Sequence, residues 1–199
     1  MDKSSKENDF QKIQVESRKE LRKWLEDNHQ LDESIWLVSF KKHTGDRYLP
    51  YAEIVEEVLC FGWIDSLPRK LDDDRTMLRL SPRKVGSGWS KVNKEKIDKM
   101  ITAGLMTPAG LEKINAAKAD GSWTKLDNVD ALDIPEDLMK ALGTFEKAQA
   151  NFDAFPPSAR RGILEWISSA KKLETRTKRI EETARLAQDN IRANQWKRK

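Results

Sequence analysis

The chain has 199 residues but only one cysteine and two histidines, and it contains no long hydrophobic run. The single cysteine, Cys60, excludes an internal disulfide and a cysteine-rich zinc site, and two histidines leave little for a histidine-based metal site. The most apolar stretches, 34–40 and 58–64, span seven residues each, whereas a transmembrane helix needs about 20. We therefore expect a protein without a membrane span, a metal or a cofactor.

An apolar segment is also missing near the N-terminus, where residues 2–7 are all polar or charged. A secretory signal peptide needs an apolar core of about 7–15 residues. We therefore expect a soluble protein that stays in the cytoplasm.

Charge is distributed unevenly along the chain, although the net formal charge is only +4. Residues 66–125 carry thirteen Lys and Arg against seven Asp and Glu, and residues 156–199 carry twelve against five. Residues 1–65 and 126–155 have an acidic excess. The basic blocks are compatible with an anionic partner such as nucleic acid, phosphate or a membrane surface. They are also compatible with acidic and basic blocks that face each other within the fold or an oligomer.

Hydrophobic spacing predicts a small α/β layer in the first part of the chain. The predicted elements are a helix at 10–28, a strand at 34–42, a helix from Pro50 to Gly62, and a hairpin of strands 66–71 and 76–81. The apolar stripe of the second helix starts at Tyr51. The strand at 34–42 is apolar on both faces, which indicates that other elements cover it on both sides.

The remainder of the chain has a helical pattern. Helix starts are predicted at Asn93, Thr107-Pro108, Pro135 and Pro156-Pro157-Ser158, because proline fits the first helical turn. We predict an α+β fold with two domains. Residues 1–125 form an N-terminal α/β domain with trailing helices, and residues 126–199 form a helical C-terminal domain.

Two candidate site residues, Trp63 and Asp65, lie where the second helix gives way to the next strand. A carboxylate beside an indole can bind a cationic or hydroxylated ligand, or act as a base if desolvation raises its pKa. The alternative is structural, with Trp63 in the core and Asp65 as a cap or an arginine partner. Cys60 is expected to be a buried structural cysteine, because a helix C-terminus disfavours a thiolate.

A second candidate site is the loop that follows the hairpin, with Arg83, Ser87, Trp89, Lys91 and Asn93. Arginine grips a carboxylate or phosphate through two parallel hydrogen bonds, and tryptophan offers a stacking face. A helix N-terminus adds free backbone N–H groups for an anion. We predict that this loop, with the helix–strand pair above, binds an anionic or sugar-like ligand. The alternative is that Ser90 or Asn93 is an ordinary helix cap and Trp89 belongs to the core.

A third candidate is a basic face within residues 168–180, a segment with five cations and one anion. Its candidate contact residues are Lys171, Arg176 and Arg179, and the two arginines share a helix face because they are three residues apart. Such a face can contact nucleic-acid phosphates, with an affinity that falls as salt rises. The alternative is a solvated face, or arginines that pair with the acidic residues 126–155.

Six short segments of the chain are similar to those of a known family. They are L-C-F-G-W-I-D at 59–65, S-P-R at 81–83, W-S-K-x-N at 89–93, G-L-M-x-P-A-G at 104–110, G-S-W at 121–123 and A-K-K-x-E-T-R-x-x-R-I at 170–180. Together they resemble the YdeI/OmpD-associated family, which is labelled bacteriocin-protection, and the last segment resembles its C-terminal domain. The resemblance implies a YjbR/CyaY-like α/β layer and a bacterial stress-response role in protection against bacteriocins or antimicrobial peptides.

We expect a non-catalytic cytoplasmic binding protein of this protection type, with a small ligand or a protein partner. The resemblance carries over no catalytic residue. One alternative is a nucleic-acid-binding protein that uses the basic segments, although no nucleic-acid-reading motif is present. The other is an enzyme with Asp65 as base and Arg83 or Lys91 as electrostatic stabiliser, although the sequence lacks a nucleophile–base pair and a glycine-rich phosphate loop.

Overall fold

The computed structural model describes residues 10–195, so residues 1–9 and 196–199, the outer ends of the two predicted domains, lie outside the described part. Internal packing divides the chain into an N-terminal unit, Met1–Thr124, and a C-terminal unit, Lys125–Lys199. The N-terminal unit contains a four-stranded sheet, and the described residues of the C-terminal unit form helices and loops. The predicted α+β class is confirmed.

The sheet of the N-terminal unit combines one short parallel strand with three antiparallel strands. Its strands are β1 (Lys12–Gln14), β2 (Ile35–Phe40), β3 (Trp63–Lys70) and β4 (Arg75–Pro82). Their order in the sheet is β1-β2-β4-β3, with β1 parallel to β2 and the other pairs antiparallel. All six residues of β2 are buried, as its apolar sequence predicts. The predicted hairpin is confirmed, and each of its strands is eight residues long.

The first predicted helix, at 10–28, is wrong over its N-terminal part. Lys12–Gln14 form β1, and helix α1 covers only Arg18–Asn28. Ser17 ends the extended segment, because its hydroxyl accepts a hydrogen bond from the N–H of Glu20 and caps the helix. Ile13 is buried on β1, opposite Leu37 of β2.

Helix α2 (Tyr51–Cys60) is the centre of the N-terminal unit. It packs against β3 and against three helices, α1, α3 (Lys91–Thr102) and α4 (Pro108–Ala119). It begins after Pro50, and Gly62 follows it with a φ of 74°, as the sequence predicts. The apolar side of α2 faces a core shared with the sheet and α1, and its other side packs on the cluster around Trp89.

Local capping determines where the helices that follow the hairpin begin. Ser90, and not Asn93, caps α3, because the Ser90 hydroxyl accepts a hydrogen bond from the N–H of Asn93. Thr107 caps α4 and Pro108 occupies its first turn, as predicted. The prediction for α3 was therefore three residues too late.

The C-terminal unit consists of helices around a separate core. They are α5 (Asp127–Asp130), α6 (Glu136–Leu142), α7 (Ala148–Ala154), α8 (Pro157–Ser168) and α9 (Leu173–Gln188). The longest, α9, packs against α6, α7 and α8 around buried residues such as Leu142, Phe152 and Ile163. The starts predicted at Pro135 and Pro156-Pro157-Ser158 are confirmed, whereas α5 and α7 have no counterpart in the predictions.

Candidate ligand-binding site

Arg83 and Trp89 form a stacked pair in the loop after β4. The Arg83 side chain is 6% exposed and Trp89 is 1% exposed. The guanidinium carbon lies 3.4 Å from the centroid of the Trp89 ring, and Nη2 donates to the carbonyl of Gly88 over 2.5 Å. The Arg83 backbone N–H donates to the carbonyl of Gly62, which fixes the start of the loop.

The Arg83 guanidinium is buried with most of its donors unused. Its Nε and Nη1 atoms have no hydrogen-bond partner. Burial lowers the pKa of Arg83 to about 10, although the charge of Asp65 raises it in part. Arg83 is therefore a buried cation without a hydrogen-bonded counter-ion.

A small pocket of about 20 Å³ lies against this pair. Its charged lining residues are Arg83, Lys84, Lys113 and Asp120. The two carboxylate oxygens of Asp120 accept backbone N–H bonds from Gly86 and Ser122, at 3.2 and 2.8 Å. The pocket is therefore net cationic, and its volume suits one water-sized or carboxylate-sized group.

The structure does not bring Trp63 and Asp65 into this pocket. Trp63 is buried in the main core, where its indole N–H donates to the carbonyl of His29 over 2.9 Å and its ring meets Trp24 edge-on. Asp65 lies on β3, and its carboxylate accepts a hydrogen bond of 2.6 Å from the hydroxyl of Tyr51. Its link to Arg83 is a longer-range charge interaction.

The other three residues of the predicted loop site also lie outside the pocket lining. The Ser87 hydroxyl donates to the carbonyl of Lys84 over 2.6 Å and closes a turn. Lys91 is the exposed first residue of α3, and the backbone N–H of Asn93 donates to the capping hydroxyl of Ser90. Of the seven predicted residues, Arg83 and Trp89 are the two that share the pocket.

A larger groove, which the sequence did not indicate, opens on the helix side of the sheet. Its volume is about 650 Å³, and its lining is predominantly apolar. Its walls include Phe40, Leu49, Tyr51, Ile54, Pro68 and Leu78. Tyr51 was expected in the buried stripe of α2, but it is 57% exposed and stands at this groove.

Tyr51 donates a hydrogen bond from its hydroxyl to Asp65 at the groove. Although more than half of the side chain is exposed, partial desolvation, together with the hydrogen bond to the Asp65 carboxylate and its charge, raises the pKa of Tyr51 from the ordinary 10 to about 12. The Tyr51 hydroxyl stays protonated at neutral pH and donates to Asp65. The ring of Tyr51 is thereby fixed as a wall of the groove.

Two buried glutamates on α2 form an ion network that sequence reasoning missed. Glu56 is 4% exposed and Glu57 is 1% exposed. Glu57 pairs with Arg18 at 2.6 Å and with Arg22 at 2.9 Å, and Glu56 pairs with Arg18 and Lys99. These groups satisfy one another, so the network joins three helices of the unit through ion pairs.

Cys60 follows this network at the end of α2 and is completely buried. Burial, with the charge of Glu57, raises the pKa of its thiol to about 11. A thiol with a raised pKa is a poor nucleophile at neutral pH. The expectation of a buried structural cysteine is confirmed.

Both arginines of the predicted basic face bind other residues of the C-terminal unit. Arg176 donates through Nε and Nη2 to the Asp137 carboxylate at 2.7 and 2.9 Å, which lowers the pKa of Asp137. Arg179 stacks on Trp166 at 4.9 Å and donates to its carbonyl and to the Ser169 hydroxyl. Lys171 is exposed at the start of α9.

Among the described residues, 10–195, no helix is long and apolar enough to cross a membrane. In the same range, no group of three or more His, Cys, Asp or Glu side chains is placed to hold a metal ion.

Comparison with known proteins assigns a different family to each part of the chain. No match was found among curated proteins or among solved structures. Residues 131–190 match the family described as bacteriocin-protection, YdeI or OmpD-associated, which confirms the resemblance for that region. Residues 13–113, about half of the chain, match the family described as domain of unknown function DUF8412. The chain therefore belongs to the DUF8412 family and carries, in its C-terminal unit, a YdeI or OmpD-associated domain.

Proposed function

We propose that the protein is a non-catalytic binding protein of the bacteriocin-protection type, which grips one small anionic group of its ligand at Arg83. The description of the C-terminal family supports the protection role. The unpartnered buried guanidinium of Arg83 supports the anionic ligand. The cytoplasmic location stays a prediction.

The observation that carries this proposal is the electrostatic state of Arg83. Removing a charged group from water costs several kcal/mol unless a partner compensates it. Stacking on Trp89 recovers up to about 2 kcal/mol, and the Gly88 carbonyl uses only one donor. Nε and Nη1 carry three of the five N–H donors of an arginine. An anionic oxygen or halide in the pocket, which Arg83 lines, would supply the missing counter-charge.

The size of the pocket narrows the class of ligand. A volume of about 20 Å³ admits a single small group, whereas a pocket that encloses a whole small molecule measures about 300–1,000 Å³. The ligand therefore inserts one carboxylate or similar anionic end, and a sugar ring does not fit. The cations of Lys84 and Lys113 at the pocket favour the same charge.

The two alternative functions have less support. Asp65 accepts a hydrogen bond from Tyr51 and does not line the pocket of Arg83, so an enzyme that pairs Asp65 as base with Arg83 as stabiliser has less support. Arg176 and Arg179 are committed to Asp137 and Trp166, so the proposed nucleic-acid face keeps only Lys171 of its three predicted residues.

The proposal is tested by thermal unfolding in formate and in pivalate at equal ionic strength. Both are carboxylates, but only formate is small enough for the Arg83 pocket. Because a ligand that binds the native state raises its melting temperature, we expect formate to raise it and pivalate to leave it unchanged. Replacement of Arg83 by methionine should abolish the difference.

Lys91→Met is the matched control, because it removes an exposed cation from the same loop outside the pocket lining. It should respond to formate as the unchanged protein does. Arg83→Met should fold at least as stably without formate, since an apolar replacement removes an uncompensated charge. Equal responses of the Arg83→Met variant and the unchanged protein would refute the proposal. If formate does not raise the melting temperature of the protein, the pocket holds water and the proposed anion site is wrong.

A further inference from the structure

The groove on the helix side of the sheet is independent of the Arg83 pocket. It lies where α2 begins and draws its walls from β2, β3 and β4. None of its lining residues lines the Arg83 pocket. Its volume of about 650 Å³ falls within the range of about 300–1,000 Å³ that is usual for small-molecule sites.

The walls of the groove favour an apolar ligand body. Leu49, Ile54 and Leu78 are buried side chains that present apolar atoms to it. The neutral ring of Tyr51 closes one side, and its hydroxyl is already bound to Asp65. Apolar lining with a few polar groups is typical of sites that enclose an organic ligand.

The charged lining residues of the groove are cations, Lys41 and Lys42. The Lys41 ammonium donates to the backbone carbonyls of Asp72 and Asp73, at 2.6 and 2.8 Å. These are neutral partners, so they hold the ammonium without cancelling its charge.

The nearby carboxylates do not neutralise Lys41 by an ion pair. Asp72 pairs with Arg75 at 2.7 Å, and Asp73 pairs with Lys70 at 2.8 Å. Lys41 therefore keeps its charge for a ligand, and an ammonium has three donors, of which two are used.

From these contacts we infer that the groove binds an amphipathic carboxylic acid. The apolar body of the acid lies against Ile54 and Leu78, and its carboxylate faces Lys41 and Lys42. This ligand matches both the apolar walls and the sign of the charge at the rim.

The test compares decanoate with decanol, which has the same chain and no charge, below their aggregation concentrations. Binding is measured by isothermal titration with the Arg83→Met variant, so that the small pocket does not contribute. We expect decanoate to bind at least fivefold more tightly than decanol. The combined change Lys41→Gln and Lys42→Gln should reduce decanoate affinity to that of decanol and leave decanol affinity unchanged.

Lys23→Gln is the matched control, because it removes an exposed cation of α1 that does not line the groove and does not contact Lys41 or its partners. It should change decanoate affinity by less than twofold. A second variant, Thr76→Phe, fills the groove and should abolish binding of both compounds while circular dichroism reports an intact fold.

Three results would overturn the inference. They are equal affinities for decanoate and decanol, full decanoate affinity in the Lys41→Gln, Lys42→Gln variant, and no binding of either compound. If neither compound binds, sedimentation tests whether a second copy of the chain occupies the groove. A dimer that dissociates in the Thr76→Phe variant would assign the groove to that second copy. Failure of the formate test at Arg83 leaves these results unaffected.

Discussion

Gly110→Ala provides the sharpest test of how the N-terminal unit is assembled. Gly110 lies in the first turn of α4, where the helix crosses the end of α2. A Cβ atom at this position would lie 2.2 Å from the carbonyl oxygen of Cys60 and 3.1 Å from that of Leu59. Both contacts are to backbone, so no flexible side chain can move aside, and α4 must shift away from α2.

The shift also strains the cap that joins the two helices. Thr107 donates to the same Cys60 carbonyl through its hydroxyl at 2.6 Å and through its backbone N–H at 3.3 Å. Overpacking costs about 1–3 kcal/mol, and a lost hydrogen bond costs about 1 kcal/mol. Alanine recovers up to about 1 kcal/mol by its helix propensity. We therefore expect the free energy of unfolding to fall by about 1–3 kcal/mol.

Urea unfolding followed by tryptophan fluorescence measures this change, because five of the seven tryptophans belong to the N-terminal unit. With a slope of about 2 kcal/mol per molar urea, the midpoint should fall by about 0.5–1.5 M. Gly162→Ala is the matched control, since Gly162 lies within α8 and a Cβ there meets nothing within 4 Å. It should be neutral or stabilising by up to about 1 kcal/mol. An unchanged midpoint in Gly110→Ala would refute the packing argument.

Two further predictions concern the glutamates of α2. Glu57→Gln removes a buried charge that two partly exposed arginines share, so the free energy of unfolding in urea should fall by about 2–3 kcal/mol. Glu26→Gln removes an exposed partner of Arg22 at 3.6 Å and should change it by less than about 0.5 kcal/mol. Equal effects of the two changes would contradict a stabilising role of the buried Glu57 pairs. Burial opposes ionisation of Glu56, but its ion pairs with Lys99 and Arg18 outweigh it and lower its pKa below the ordinary 4.5. The stabilisation that Glu56 provides is therefore complete above pH 4.5 and is lost as pH falls through its lowered pKa in the folded state. In the Glu56→Gln variant, the free energy of unfolding should depend less on pH in the acid range. The same pH dependence in both proteins would contradict this role of Glu56.

Local chemistry in the sequence was enough to place most helix and hairpin boundaries. Thr107-Pro108 begins α4 and Gly62 follows α2 because a capping hydroxyl, a fixed proline φ and a left-handed glycine act within a few residues. Strand β1 was missed for the opposite reason. Its three residues are too few to show a period, and they are extended because they pair with Trp36–Val38, far along the chain.

The candidate site residues also differ in whether the sequence alone could identify them. Arg83 and Trp89 are six positions apart, so one loop brings them together and the sequence could identify them. The groove at Tyr51 is formed by three strands and a helix, so no single segment of the sequence indicates it. The sequence did not indicate the burial of Glu57, because its two arginine partners lie on α1, more than thirty residues earlier in the chain.

The segments that carry the family resemblance have two different physical origins. Gly62 and Gly110 both lie at the junction of α2 and α4, where added Cβ atoms would meet the carbonyl of Ala109 at 3.2 Å and that of Cys60 at 2.2 Å. Close backbone packing therefore accounts for the segments at 59–65 and 104–110. Packing does not account for Arg83, because an apolar side chain would fill the same space without leaving donors unsatisfied. The proposed anionic ligand would compensate the donors that Arg83 leaves unsatisfied in these segments.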